Sequence, residues 1–270
     1  MSNNFTILVN SSDGFEDCWT PFFTLFSKYW PGYTGQIFLN TETKDWSFTK
    51  LDIKCTKIQE SYPGHKLTWS ECLIGALNKI ETPLVLYFQE DYFLEKMVDT
   101  ELINLFAERM LDNEEIKHIG LTHFGSQGPF ENTNDSHLWK IRQNARYRIS
   151  TQVGLWRVEA LKSYLRASEN GWMFEIYGSR RARRINELFL TANRDLYNPD
   201  SAPIVQYTHT GIIKGKWHPA MKKLFSLHGL DVDFKKRGFY KPKPKILEKL
   251  VTIRKVLSSP RYWINGFRGL

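Results

Sequence analysis

The sequence predicts an α/β fold, a mostly parallel sheet with helices on both faces. Three observations predict it. Between residues 5 and 121, runs rich in β-branched and aromatic residues alternate with stretches whose apolar residues recur at helical spacing. The run Pro83-Leu84-Val85-Leu86-Tyr87-Phe88 reads as a buried strand. An apolar content of 41% and a charged content of 24% over 270 residues suit one large domain, or a domain with an appendage, and exclude wholesale disorder.

Phe5 to Asn10 is the first strand, closed by the polar turn Ser11-Ser12-Asp13-Gly14. Phe15 to Tyr29 follows as a helix with Trp19, Phe22, Phe23 and Phe26 on one face, and Pro31-Gly32 stops it. Gln36 to Asn40 is a second strand and Leu51 to Ile53 a weaker third. Thr68 to Lys79 is a helix whose opening, Thr68-Trp69-Ser70-Glu71, has the spacing of a capping box. The strand Leu84 to Phe88 comes next, then an amphipathic helix over Asp99 to Leu111 and a short strand over His118 to Leu121.

Beyond Thr122 the pattern changes. Phe124 to Asn134, rich in Gly, Pro, Ser and Asn, reads as a long loop suited to a lid or an acceptor loop. Tyr147 to Leu155 resumes strand character, Glu159 to Ser168 and Trp172 to Arg184 are helices, and Ile204 to Tyr207 is a late strand. Lys241 to Lys245 reads as a linker with a helical segment after it. The expected division is a main domain over 1–235 and a basic tail over 236–270.

The net charge of +8 belongs to that tail: residues 235–270 hold eleven Lys and Arg against the single acid Glu248. The preceding residues are slightly acidic overall, so no nucleic-acid partner is expected. Cys18, Cys55 and Cys72 are far apart and form no metal-binding pattern, which points to a reducing compartment. No basic region leads into a long apolar core at the N-terminus, so no signal peptide is expected. No stretch approaches the roughly 20 apolar residues that span a bilayer. The expected location is cytoplasmic, with the tail on the membrane surface. Ile246, Leu250, Ile253 and Leu257 recur at helical spacing among basic residues, and Tyr262, Trp263 and Phe267 follow. Over 245–270 that pattern fits a helix lying on an anionic bilayer, the favoured reading, with a face docked on the body or a partner as the competing one.

The apolar run at 84–88 ends in Gln89-Glu90-Asp91. A carboxylate beside a core is costly unless it meets a cation or donors. The pair therefore belongs just past the strand's carboxyl end, where open α/β sheets place their ligand crevice. Two acids there can hold a divalent cation and, through it, a phosphate. A strand ending in a solvated acidic turn would read the same.

Three matches make the chain resemble GT-A-type glycosyltransferases, particularly small bacterial enzymes of surface-polysaccharide (lipopolysaccharide or capsule) assembly. Val9-Asn10-Ser11-Ser12-Asp13 resembles the loop that seats the nucleotide, so Ser11 and Asp13 are implied donor-binding residues. Gln89-Glu90-Asp91 stands where the family carries Asp-x-Asp, with Gln in place of the first acid. Glu90 and Asp91 are then implied on the donor diphosphate, Asp91 as ligand to Mn²⁺ or Mg²⁺, and metal-free binding through basic residues becomes the alternative. Trp172-Met173-Phe174-Glu175 resembles the acidic motif that meets the acceptor in inverting members. It implies Trp172 at the acceptor and Glu175 as the base that takes the acceptor's proton.

The resemblance also implies roles in His209-Thr210-Gly211-Ile212-Ile213-Lys214-Gly215-Lys216. His209 would complete the metal shell and Lys216 would meet the leaving diphosphate. Glu175 also fits a helix-start acid, and the lysines fit a solvated surface. The implied reaction transfers a sugar from a nucleotide-sugar, UDP-linked, to a glycan or lipid-linked acceptor. A nucleotidyltransferase and a non-catalytic GT-A-like adaptor are the alternatives. The absence of a basic residue from Ser11-Ser12-Asp13-Gly14 counts against the first; Gln89 gives weight to the second.

Overall fold

The computed structural model describes residues 4–242. Nine strands form one sheet in the order β3-β2-β1-β4-β8-β5-β9-β7-β6. Its left half is β1 (Phe5–Asn10), β2 (Ile37–Asn40), β3 (Ile53–Cys55) and β4 (Leu84–Gln89), paired parallel. β8 (Gly154–Arg157) runs antiparallel between β4 and β5 (Ile116–Gly120). β9 (Leu188–Ala192) pairs parallel with β5, and β7 (Leu138–Ile141) and β6 (Phe130–Asn132) close the far edge antiparallel. Seven strands thus point one way, with β7 and β8 reversed. The expected mostly parallel α/β fold is what forms.

Strand side chains alternate between two cores. Ile7, Val9, Leu84, Leu86 and Phe88 face α1 (Glu16–Tyr29) and α3 (Thr100–Asp112), meeting Trp19, Phe22, Phe26, Ile103 and Phe106. Leu8, Val85 and Tyr87 face α2 (Trp69–Leu77) and α4 (Val158–Tyr164), meeting Leu73, Leu77, Leu161 and Tyr164. Each fully buried Phe contributes about 1.5–3 kcal/mol. α2 opens with the expected capping box: Thr68 accepts from Glu71 N–H, and the Glu71 side chain accepts from Thr68 N–H.

Several elements differ from expectation. Ile204 to Tyr207 forms no strand; its carbonyls accept from Glu95 and Asp99 N–H, so it pairs with a loop and bridges only Leu94 to Tyr207. The expected lid loop contains β6, and β7 and β9 lie where no strand was expected. The strand expected over Tyr147 to Leu155 begins only at Gly154, and the residues before it form turns and bends.

Past the helix α7 (Ala220–Leu227) the chain returns to the body. Trp217 N–H donates to Gly238 carbonyl at 3.0 Å and Tyr240 N–H to Trp217 carbonyl at 2.9 Å. The packed body therefore extends past residue 235. The expected membrane-surface helix at 245–270 lies outside the described residues. No helix among the described residues is long and apolar enough to cross a membrane.

Candidate active site

β1 and β4 end side by side, with Asn10 opposite Gln89. Because β8 runs the other way, its beginning lies at the same edge: Tyr87 pairs with Gly154. Three chain segments thus converge where the parallel strands finish. A cleft of about 640 Å³ opens there, lined by Phe15, Gln89 to Asp91, Asn170 to Trp172, Thr210, Ile212, Lys214 and Gly215. That volume suits a ligand larger than a simple anion.

Glu90 and Asp91 are both nearly sealed, at 7% and 5% exposure. Burial, then the Asp91 charge, raises the Glu90 carboxyl well above its usual range. Burial also raises Asp91, against hydrogen bonds from Thr210 and the Ile212 and Gly211 amides. Asp91 Oδ2 accepts from Thr210 Oγ1 and, at 2.9 Å, from Ile212 N–H. Its Oδ1 is buried with no hydrogen-bond partner among the described residues. Gly211 N–H donates to the Asp91 carbonyl at 2.9 Å. A Cβ on Gly211 would stand 2.3 Å from Phe93 Cε2, so only glycine lets this loop approach so closely.

The opposite wall is a helical stretch made of α5 (Gly171–Met173), a π-helical turn (Phe174–Gly178) and α6 (Ser179–Ala182). Asn170 caps it, accepting from Met173 N–H at 3.0 Å. Trp172, 51% exposed, stands in the cleft wall. Glu175 follows in the π-turn, a feature common at functional sites. Its Oε1 accepts from Thr151 N–H (2.8 Å), Thr151 Oγ1 (3.0 Å) and Ser150 Oγ (3.1 Å). Oε2 accepts none among the described residues, so one oxygen anchors the carboxylate and the other stays open.

The acid pair and Glu175 share this edge. Tyr92, next to Asp91, donates through its OH to the Thr151 carbonyl at 3.2 Å, and Thr151 holds Glu175. Gln152 Nε2 donates to the same Tyr92 oxygen and Tyr207 OH to Gln152 Oε1, both at 2.9 Å.

Other expected site residues fall differently. Asp13 Oδ1 accepts from Glu42 N–H at 2.9 Å, and Oδ2 from Thr43 N–H at 3.0 Å and Thr43 Oγ1 at 2.6 Å. Burial pushes its pKa up, but these bonds outweigh that and leave it lowered. Asp13 thereby staples the loop after β2. Ser11 Oγ accepts from Trp19 Nε1 at 2.8 Å, which ties it to the core. His209 is exposed with its ring on Phe124, 4.8 Å between centroids, and is not in the cleft lining. The lining lysine is Lys214; Lys216 is exposed on β11 (Lys216–Trp217) opposite Ile213 of β10 (Ile212–Ile213).

Sequence reading missed Phe15, Asn170, Thr210 and Arg237. Arg237 forms a half-buried two-pronged pair with Asp17 at 2.6 and 2.5 Å, donates to the Gly14 carbonyl, and lies 4.6 Å over the Phe15 ring. No local pattern links positions 220 residues apart.

Among the described residues no three His, Cys, Asp or Glu side chains gather as a metal site. Two adjacent carboxylates with an unpartnered buried oxygen still suit a cation such as Mg²⁺, which commonly takes one or two carboxylates and completes its shell with water and substrate phosphate.

No protein-family model and no curated protein matches the chain. Among solved structures, S. aureus TarS 1-349 is similar over 71% of this chain and 58% of that one, at 14% identity and a TM-score of 0.44. A second crystal structure of S. aureus TarS is similar over 88% of this chain and 41% of that one, at 12% identity and a TM-score of 0.43. The chain thus spans 58% and 41% of the two chains' lengths.

Proposed function

We propose that the protein is a GT-A-like glycosyltransferase that moves a sugar from a nucleotide-sugar, UDP-linked, to a glycan or lipid-linked acceptor of the cell surface. One observation carries the reading: the buried pair Glu90–Asp91 lines the same cleft as Trp172, on the helix that presents Glu175.

Phe15, at the start of α1, offers a ring in the cleft lining for the nucleotide base, and Lys214 a cation for the diphosphate. Ser11 and Asp13 shape the first loop and its neighbour rather than presenting free groups. Glu90 and Asp91 would hold Mg²⁺ or Mn²⁺, which when bound supplies charge for the leaving phosphate. His209, one residue before the Asp91-bound Thr210, and Lys216 on the adjoining hairpin are the further groups within this loop. Trp172 presents an aromatic face on which a sugar packs. Glu175 takes the acceptor hydroxyl's proton on Oε2 while Oε1 stays tethered, giving inversion at the anomeric carbon. Location at the inner membrane face through 245–270 completes the reading.

The test uses the full chain and UDP-sugars. Slow release of free sugar, with stabilisation by UDP and Mn²⁺ but not by ATP or CTP, is the expected result. Glu175→Gln should lower transfer at least 100-fold while leaving UDP binding unchanged; a variant that turns over normally removes Glu175 from the base role.

A further inference from the structure

Several arginines of the body have partners. Arg181 grips Glu169 through both Nη atoms at 2.6 Å, Arg237 pairs with Asp17, and Arg148 donates to the Ala182, Ile185 and Glu187 carbonyls. Arg180, Arg183 and Arg184 do not. All three are exposed, and among the described residues none forms an ion pair or a side-chain hydrogen bond. Arg180 rests 5.4 Å over the Tyr177 ring, which holds one guanidinium outward.

Their direction matters. The inner face of this helical stretch is set by Phe174, Gly178, Ser179 and Ala182, all buried, with Ser179 bonded to the Ile149 backbone. Positions 180, 183 and 184 are neighbours on the outer side, and Trp172 is exposed two turns earlier in the cleft wall. The thirteen residues from 172 to 184, helical as far as Ala182, span roughly 18 Å at the helical rise, longer than one monosaccharide. Like charges gathered without an acid between them repel, and a bound anion relieves that repulsion. Guanidinium groups fit phosphate through paired N–H donors. The same face offers no continuous apolar strip to insert in a bilayer: Trp172 and Ile185 are its exposed large apolar residues.

We propose that Arg180, Arg183 and Arg184 form a track for a phosphate-bearing glycan acceptor, leading the polymer along this helix to Trp172 and the cleft. The proposal rests on the transferase reading for its purpose and deepens it by naming the acceptor as a polyanion.

The experiment measures binding of the full chain to a phosphomannan and to neutral mannan. Single-stranded RNA and phosphatidylglycerol vesicles serve as separate arms, and UDP-sugar hydrolysis is followed in parallel. The wild type should bind phosphomannan in a salt-sensitive manner and ignore neutral mannan. Changing Arg180, Arg183 and Arg184 together to Gln should weaken phosphomannan binding at least tenfold with donor hydrolysis unchanged, and the triple Lys variant should recover part of it. Phosphomannan binding by the Gln variant within twofold of wild type overturns the proposal. So does arginine-dependent binding of vesicles or RNA without binding of phosphomannan. If the wild type hydrolyses no nucleotide-sugar yet keeps arginine-dependent phosphomannan binding, the transferase reading fails and the polyanion track stands.

Discussion

A carboxyl group at Glu90 is held where water cannot reach it well, beside a second acid. Its raised pKa, caused by burial and then by Asp91, has a definite thermodynamic sign. Between its unfolded and folded values the native state binds more protons than the unfolded chain, so stability falls as pH climbs through that window. Glu90→Gln removes the titration. The melting temperature at neutral pH should rise by a few degrees, and the gain should vanish towards pH 4, as thermal melts across that range would show. A variant that melts lower at neutral pH would mean that Glu90 is already stabilised by a partner. Stability is thus given up at the residue proposed to meet the donor, and a bound cation would return it. The adjacent letters Glu-Asp after an apolar run made this pair legible. Asp13 was legible only as an acid after a strand; that its oxygens turn back onto 42–44 depends on a contact across some 30 residues.

The loop carrying Thr210, Gly211 and Ile212 is the element that closes over Asp91. Its geometry depends on a missing side chain. Gly211→Ala places a methyl against Phe93 and the Asp91 carbonyl, an overpacking cost of about 1–3 kcal/mol. UDP affinity should drop with stability, since Asp91 loses its register with Thr210 and Ile212; titration calorimetry beside a melt would separate the two. Unchanged affinity would mean that this loop plays no part in donor binding. Elements with strong internal periodicity were readable at nearly their true bounds, as for β1 and for the helix opened by Thr68. β9 was not, because Leu188–Ala192 is a five-residue strand with no turn signal that separates it from the helix before it. Ile204 to Tyr207 carried strand-like residues, yet its hydrogen bonds go to the 95–99 loop; composition cannot show which backbone will be the partner.

At the scale of the molecule, Arg237 joins the end of the packed body to its beginning. Removing it leaves the half-buried Asp17 without its guanidinium partner, so Arg237→Ala should cost about 1–2 kcal/mol in a denaturant melt. The double change with Asp17→Asn should return part of that loss. An unaffected midpoint would show that the pair is solvated in solution. The alternation of strand and helix announced the α/β layout from one end of the chain. The reversed β8 and the closing contact at 237 follow from long-range topology, which single-sequence patterns do not encode.

That closing contact also bears on synthesis. Asp17 and the two buried acids leave the ribosome well over a hundred residues before the guanidinium that reaches back to position 17. In a nascent chain Asp17 therefore waits for its guanidinium partner until residue 237 has emerged.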